Sequence, residues 1–179
     1  MTYSLTNFCD DTRTILREGD DSDSREKIRK TLEQLLVDQA FCAEYAAADD
    51  HSGMKQIFED PELKFCVLAY NMELPRVSPP HDHGTSWAVY GQVAGHTDMT
   101  IWGAAENSQD KVEKIRTFRL EPGQAGLFDI REIHSIDYPA GSKFIRITGV
   151  DMSKEARRVF DPETGAVKVV ASVGTGSRR

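Results

Sequence analysis

Two histidines, His81 and His83, lie two residues apart in a segment that begins with two prolines and leads into an apolar stretch. Side chains at positions i and i+2 of an extended segment project to the same side. The two imidazoles can therefore chelate one metal ion. Their nitrogens suit iron, copper, nickel or zinc better than magnesium or calcium. Such a site needs a third ligand from elsewhere in the chain.

His134 is the candidate for the third ligand, in a stretch that reads as the start of a late β-strand. In a barrel whose strands fold back on one another, a late strand can lie beside an early one. Three imidazoles can then hold one metal and leave coordination positions open to small molecules. The two other histidines are less suited: His96 begins a polar outer face, and His51 lies in a turn that favours an exposed side chain.

Helices come first in the predicted order of elements. Apolar residues at helical spacing predict a first helix over residues 5–17, capped by Ser4 or Thr6. A second helix is predicted from Arg25 to about Ala47, with Ser24 as its cap. Strands are predicted after Phe58, at residues 65–70, 87–93, 96–102, 114–120, 125–128, 135–138 and 143–150, followed by a hairpin of residues 158–160 and 167–170.

Many short strands at regular spacing predict a mainly β protein, a sandwich or a barrel. The chain of 179 residues is expected to form a single domain. Its parts are a helical segment at about 4–48, a β-barrel at about 60–172 and a flexible tail at 174–179. An edge strand such as residues 167–170 can pair between subunits in a homodimer, or close the barrel internally.

Composition and charge argue against several classes of protein. The net charge of −7 disfavours a nucleic-acid groove or an anionic membrane surface as partner. There is no apolar run of bilayer length and no signal-peptide pattern at residues 1–11, so a cytoplasmic protein is expected. Cys9, Cys42 and Cys66 are odd in number and widely spaced, which predicts reduced thiols rather than disulfides.

The histidine segments resemble those of the cupin superfamily, and within it the thiol dioxygenases, typified by cysteine dioxygenase and 3-mercaptopropionate dioxygenase. The resemblance covers roughly residues 53–150 and rests on residues 79–83, on Trp87 with the glycines that follow it, and on residues 129–134. Where a general cupin has a glutamate ligand, this chain has Ala88, and thiol dioxygenases also lack that glutamate. The resemblance implies a double-stranded β-helix, the cupin jelly-roll barrel, preceded by two N-terminal helices. It also implies that His81, His83 and His134 hold iron(II), with nickel, zinc or manganese as alternatives.

The function implied by the resemblance is that of a mononuclear non-haem iron dioxygenase. Its partners would be dioxygen and a small, carboxylated thiol of the cysteine or 3-mercaptopropionate class, which it would oxidise to the sulfinate. Three neutral ligands leave the whole charge on the metal, which favours an anion and deprotonates a coordinated thiol. Two other interpretations remain open. One is a cupin enzyme with the same metal site and a non-thiol substrate, such as a dioxygenase, isomerase or decarboxylase. The other is a non-catalytic cupin that binds a metal and a small ligand.

Arg146 and Thr148 are candidates for substrate binding, at positions where the family has a histidine and a tyrosine. Alternation along a strand places both on one face. If that face is inward, Arg146 can bind a substrate carboxylate through paired hydrogen bonds. In the alternative, Ile145 and Ile147 point inward and Arg146 is solvated.

Three other residues are further candidates. Lys55 lies near the position where cysteine dioxygenase has its carboxylate-binding arginine, and an exposed lysine is the alternative. Tyr90 is the catalytic candidate: it can place a hydroxyl in the cavity to bind superoxide or substrate, or it can be a core aromatic. Trp87, from the first motif, is the remaining substrate-binding candidate.

Overall fold

Two α-helices lead into the β-sheets, as predicted. The computed structural model describes residues 3–47, 52–105 and 108–171, without the side chains of 46–47 and 108–110. His51 and the predicted tail at 174–179 lie outside these ranges. Helix α1 (Leu5–Glu18) begins at Ser4, whose side chain forms a capping box with Asn7. Within the described ranges, no helix combines the length and apolar character needed to cross a membrane.

The second helix, α2 (Ser22–Leu36), begins earlier and ends earlier than predicted. Its N-cap is Asp21 rather than Ser24, because the Asp21 carboxylate accepts a hydrogen bond from the Ser24 backbone N–H. The predicted continuation to about Ala47 is wrong. Asp38 caps a new short helix, α3 (Gln39–Phe41), and a π-helical segment (Cys42–Ala47) follows it.

Eleven strands are found in the described part of the chain. Their bounds are β1 (Gly53–Glu59), β2 (Cys66–Met72), β3 (Arg76–Val77), β4 (Ala88–Ala94), β5 (Thr97–Ala105), β6 (Ser108–Leu120), β7 (Ala125–Phe128), β8 (Ile133–Tyr138), β9 (Ser142–Thr148), β10 (Arg157–Phe160) and β11 (Val167–Val170). The predicted hairpin corresponds to β10 and β11. Strands β1 and β3 were not predicted, so the first strand precedes the expected barrel start at about residue 60.

The strand order is that of a double-stranded β-helix, which confirms the predicted fold class. One antiparallel sheet has the order β1-β2-β9-β4-β7 and the other the order β3-β8-β5-β6. Late strands thus lie between early ones in both sheets: β9 pairs with β2 and β4, and β8 pairs with β3 and β5. This arrangement brings residues distant in sequence to the same side of the barrel.

Two apolar clusters define the inner and outer faces of the five-stranded sheet. The outer cluster joins this sheet to the helices and includes Leu32, Val89, Ile145 and Ile147. Gly91 allows this close packing, since a Cβ there would lie 2.7 Å from a Leu36 methyl group. The inner cluster fills the space between the two sheets and consists of Ala88, Tyr90, Met99, Leu120, Phe128, Tyr138 and Phe144.

Candidate metal centre

The histidines of the two motifs meet at one point inside the barrel. His81 follows β3 in the chain and exchanges two backbone hydrogen bonds with His134 of β8, at N···O distances of 2.9 and 3.0 Å. One nitrogen from each of His81, His83 and His134 lies within 4.8 Å of the other two. The rings of His81 and His83 lie 4.6 and 4.7 Å from the His134 ring, centroid to centroid. All three side chains are buried.

Several ring nitrogens at this point have no hydrogen-bond partner. The Nδ1 of His81 lies 2.9 Å from the Pro79 carbonyl oxygen and must donate to it, which leaves Nε2 as a lone-pair donor. The His83 Nδ1 and both nitrogens of His134 are buried without a partner among the described residues. Buried polar atoms normally find partners. The three converging imidazoles therefore fit a metal ion.

Burial keeps these imidazoles neutral. It lowers the pKa of His81, and it holds the pKa values of His83 and His134 well below the usual histidine value. The histidines also lower one another's pKa, because a charge on one disfavours a charge on the next. A neutral imidazole is the form that ligates a metal. The ligand set is thus ready to bind at neutral pH.

Aromatic side chains form the wall around the histidines. Phe128 stacks on the His134 ring with centroids 4.0 Å apart. Tyr90 of β4 is buried, and its hydroxyl oxygen lies 3.3 Å from the His83 Nε2. The catalytic candidate therefore contacts the candidate metal centre through its hydroxyl.

Arg146 of β9 points into the barrel, which decides between the two orientations left open by the sequence. Its neighbours Ile145 and Ile147 pack outward against the helices. The Arg146 guanidinium carbon lies 5.1 Å from the centre of the Tyr70 ring and 5.9 Å from that of Tyr90. The Arg146 Nε is buried and has no hydrogen-bond partner among the described residues.

The charge of Arg146 is permanent in this environment. Burial acts to lower the pKa of its guanidinium, but the nearby tyrosines Tyr70 and Tyr90 outweigh burial and the pKa is raised. Thr148 shares the inner face of β9 and is fully buried. Its hydroxyl donates to the Val150 carbonyl at 2.7 Å. Thr148 therefore has only an oxygen lone pair left to offer a ligand.

Lys55 and Trp87 are not brought to the histidines. Lys55 of β1 is exposed and pairs with Ala69, which belongs to the outer cluster. Cross-strand partners share a face, so Lys55 lies on the face opposite to Arg146. Trp87 is buried in the outer cluster between the sheet and the helices. Both side chains therefore lie on the outer side of the sheet, away from the histidines, and their roles in substrate binding stay predictions.

Sequence reasoning missed three residues near the site. Tyr70 of β2 lies under the guanidinium of Arg146, and burial raises its pKa to about 12. Its position follows from the pairing of β2 with β9, which the sequence pattern does not reveal. The other two are Asp82, between the paired histidines, and Arg158 of β10, which forms an ion pair with it. Asp82 was the available signal, since a side chain between two residues of one face of an extended segment points to the opposite face.

Comparison with known proteins adds the following findings. No family model matches the chain, and no curated protein matches it. Among solved structures, KdgF from Halomonas sp. has 18% identity over 56% of this chain and 82% of its own, with a TM-score of 0.42. The Cnp3 cupin domain of Schizosaccharomyces pombe has 13% identity over 55% and 64% of the two chains, with a TM-score of 0.42. DMSP lyase DddQ from Ruegeria pomeroyi has 14% identity over 64% of this chain and 54% of its own, with a TM-score of 0.44. At such values the similarity carries no information on activity.

Proposed function

We propose that this protein is a mononuclear non-haem iron dioxygenase that oxidises a small carboxylated thiol to its sulfinate. One observation carries the proposal: Tyr90 contacts both a buried cluster of neutral histidines and Arg146, whose Nε is buried. Its hydroxyl reaches His83, and its ring lies beside the Arg146 guanidinium. A small molecule bound beside Tyr90 would meet a metal site and a cation together.

The neutral ligand set supports a thiol as the group at the metal. His81, His83 and His134 bring no negative charge, so a bound divalent cation keeps its full charge toward its remaining ligands. Such a centre favours an anion and lowers the pKa of a coordinated thiol. Iron(II), held there by the three histidines, would supply the redox chemistry for the reaction of a thiolate with dioxygen. In the overall reaction both oxygen atoms are transferred to sulfur, which loses four electrons as the O–O bond breaks.

Arg146 supports a carboxylate as the second group of the substrate. Its Nε is buried without a partner, and a carboxylate can accept from Nε and a terminal nitrogen at once. The aromatic rings of Tyr70 and Tyr90 restrict the guanidinium, so little side-chain freedom is lost on binding. This residue would orient the substrate while Tyr90 presents its hydroxyl near His83. Burial of these groups would also exclude bulk water from the reacting atoms.

Metal analysis and oxygen uptake test the proposal. Metal-stripped protein is loaded with iron(II) without air, and oxygen consumption is followed with cysteine, 3-mercaptopropionate, mercaptosuccinate and cysteamine. We expect thiol-dependent uptake with at least one carboxylated thiol and formation of its sulfinate. His134→Ala should abolish metal binding, whereas His96→Ala, outside the cluster, should retain it. Metal binding without oxygen uptake for any thiol would refute the dioxygenase and favour a non-thiol substrate or a binding role.

A further inference from the structure

Asp82, between the two paired histidines, is a buried carboxylate with a full set of donors. Its side chain is 1% exposed. Oδ1 accepts hydrogen bonds from the backbone N–H groups of Arg158 and Gly84, at 2.8 and 3.2 Å. Oδ2 accepts from the Arg158 Nε at 2.6 Å. In an extended segment the side chain between two residues of one face points to the other, so the carboxylate is directed away from the imidazoles.

Arg158 belongs to the hairpin of β10 and β11, which docks along the histidine segment. The Asp82 N–H donates to the Arg158 carbonyl at 3.1 Å, and the Phe160 N–H donates to the Pro80 carbonyl at 2.8 Å. His81 forms isolated bridges with Val159 on one side and with His134 on the other. The segment that carries two ligands is therefore held between β8 and β10.

The close fit extends to the turn after His83. Gly84 has φ 63°, a conformation that favours glycine, and a Cβ there would lie 2.3 Å from the Ala156 carbonyl oxygen. Ala156 directly precedes β10. The backbone before the hairpin thus limits the path of the chain after the second histidine, in addition to the contacts made by Arg158.

The negative charge of a buried carboxylate must be balanced by a positive charge or by hydrogen bonds, and Arg158 provides both for Asp82. Without that cation, the Asp82 charge would be held in a low-dielectric environment with only backbone donors. A conformation of the segment that moves the carboxylate toward water or toward a metal would then have the lower free energy. Either movement would displace the histidines on both sides of it, because the three residues share one short extended stretch.

We propose that the hairpin positions the metal ligands through the Asp82–Arg158 pair, so that both residues are positioning residues for the metal. This inference rests on the metal site proposed above. The pair holds the carboxylate away from the ligand sphere and keeps His81 and His83 on one face. The hairpin is then part of the metal centre, although none of its side chains is a ligand.

Titration of the metal-stripped protein with cobalt(II) alone, followed by its visible absorption, tests this inference. We expect Arg158→Gln and Asp82→Asn each to weaken cobalt(II) binding on the order of tenfold. The double variant should bind cobalt(II) no more weakly than either single variant, because both changes remove the same interaction. Arg158→Lys, which keeps the charge, should recover part of the affinity. The matched control is Arg119→Gln, which removes an exposed paired contact with Asp98 at 2.7 and 2.8 Å and should bind like wild type.

Thermal unfolding of the same metal-free proteins separates positioning from general stability. A purely structural pair would lower the melting temperature and leave the affinity of the folded protein unchanged, which would overturn the inference. Arg158→Gln keeps an exposed position polar and is the variant expected to fold if Asp82→Asn does not. Absence of cobalt(II) binding in wild type would overturn the metal site and this inference together. Binding in wild type that is lost in His134→Ala but intact in Arg158→Gln would overturn the inference alone.

Discussion

Acidification of the metal-free protein should destabilise it through its buried histidines. Burial holds the pKa values of His83 and His134 well below the usual value and also lowers that of His81. In the unfolded chain each imidazole takes up a proton near pH 6.5, roughly the unperturbed value. The unfolded state then binds more protons than the folded state. The free energy of unfolding is therefore highest above that pH and decreases as the pH falls through it.

The size of the effect follows from the number of histidines involved. At about pH 5.5, one unit below the unfolded pKa, each histidine that stays neutral in the folded protein lowers the free energy of unfolding by about 1.4 kcal/mol relative to its value at neutral pH. His83 and His134 together give about 3 kcal/mol. The lowered pKa of His81 acts in the same direction. Carboxylates with lowered pKa values, such as Asp60, act mainly at lower pH. The range from about pH 7.5 to 5.5 thus isolates the histidines.

Denaturant unfolding of chelator-treated protein, monitored by tryptophan fluorescence, measures the effect at each pH. His83→Gln and His134→Gln should each remove about 1.4 kcal/mol of the pH-dependent loss, whatever they do to stability at neutral pH. His96→Gln is the control, because that side chain is partly exposed and lies outside the cluster. A wild-type stability that is constant over this range would refute the reasoning. So would an unchanged pH dependence in both cluster variants.

Three further predictions concern the arginine, the outer core and the thiols. Arg146→Gln should raise KM for 3-mercaptopropionate about 10- to 100-fold and leave that for cysteamine, which has no carboxylate, within about twofold; equal effects in oxygen-uptake assays would contradict the carboxylate contact. Leu32→Ala, in the buried outer cluster, should lower the free energy of unfolding by about 2–5 kcal/mol in urea without changing metal content, whereas the exposed Val37→Ala should change it by under about 0.5 kcal/mol. Burial raises the pKa of Cys9 to about 12 and that of Cys66 to about 11. Both thiols should react with a disulfide reagent far more slowly in the native protein than in urea, and equal rates would contradict their burial.

The histidine cluster was predictable because its main signal is local. The spacing of His81 and His83 alone places two imidazoles on one side of an extended segment. The distant His134 could be added because short strands at regular spacing predict a barrel, in which early and late strands become neighbours. The antiparallel contact of His81 with His134 has this origin.

The orientation of inner side chains could not be predicted in the same way. Alternation places Arg146 opposite Ile145 and Ile147, but the inner face is decided by the helices, which cover the outer side of the sheet. The outer position of Lys55 could not be predicted for a related reason. Strand β1 was not predicted, so there was no register from which to infer that Lys55 pairs with Ala69 on the outer face. The pair of Asp82 and Arg158 joins residues 76 positions apart, and no local pattern specifies it.

The positive charge of Arg146 at the candidate site is not balanced by a buried carboxylate among the described residues. Among the described residues, only Asp60 and Asp82 are buried carboxylates. Asp60 accepts a hydrogen bond from the Arg13 Nε at 2.9 Å, and Asp82 is paired with Arg158. Both carboxylates therefore have their own arginine partners. The charge of Arg146 must be balanced in another way.

The Arg146 guanidinium lies beside two tyrosine rings, and cation–π contacts offset only part of the cost of its partial burial. A divalent metal on neutral imidazoles would add a second uncompensated positive centre beside the same Tyr90. A ligand with both a thiolate and a carboxylate brings one negative charge to each centre. An aminothiol such as cysteamine would leave Arg146 unpaired and would bring a third positive charge to the site. Carboxylated thiols should therefore bind more tightly than cysteamine, and the preference should disappear in Arg146→Gln, since that substitution removes the centre that requires the carboxylate.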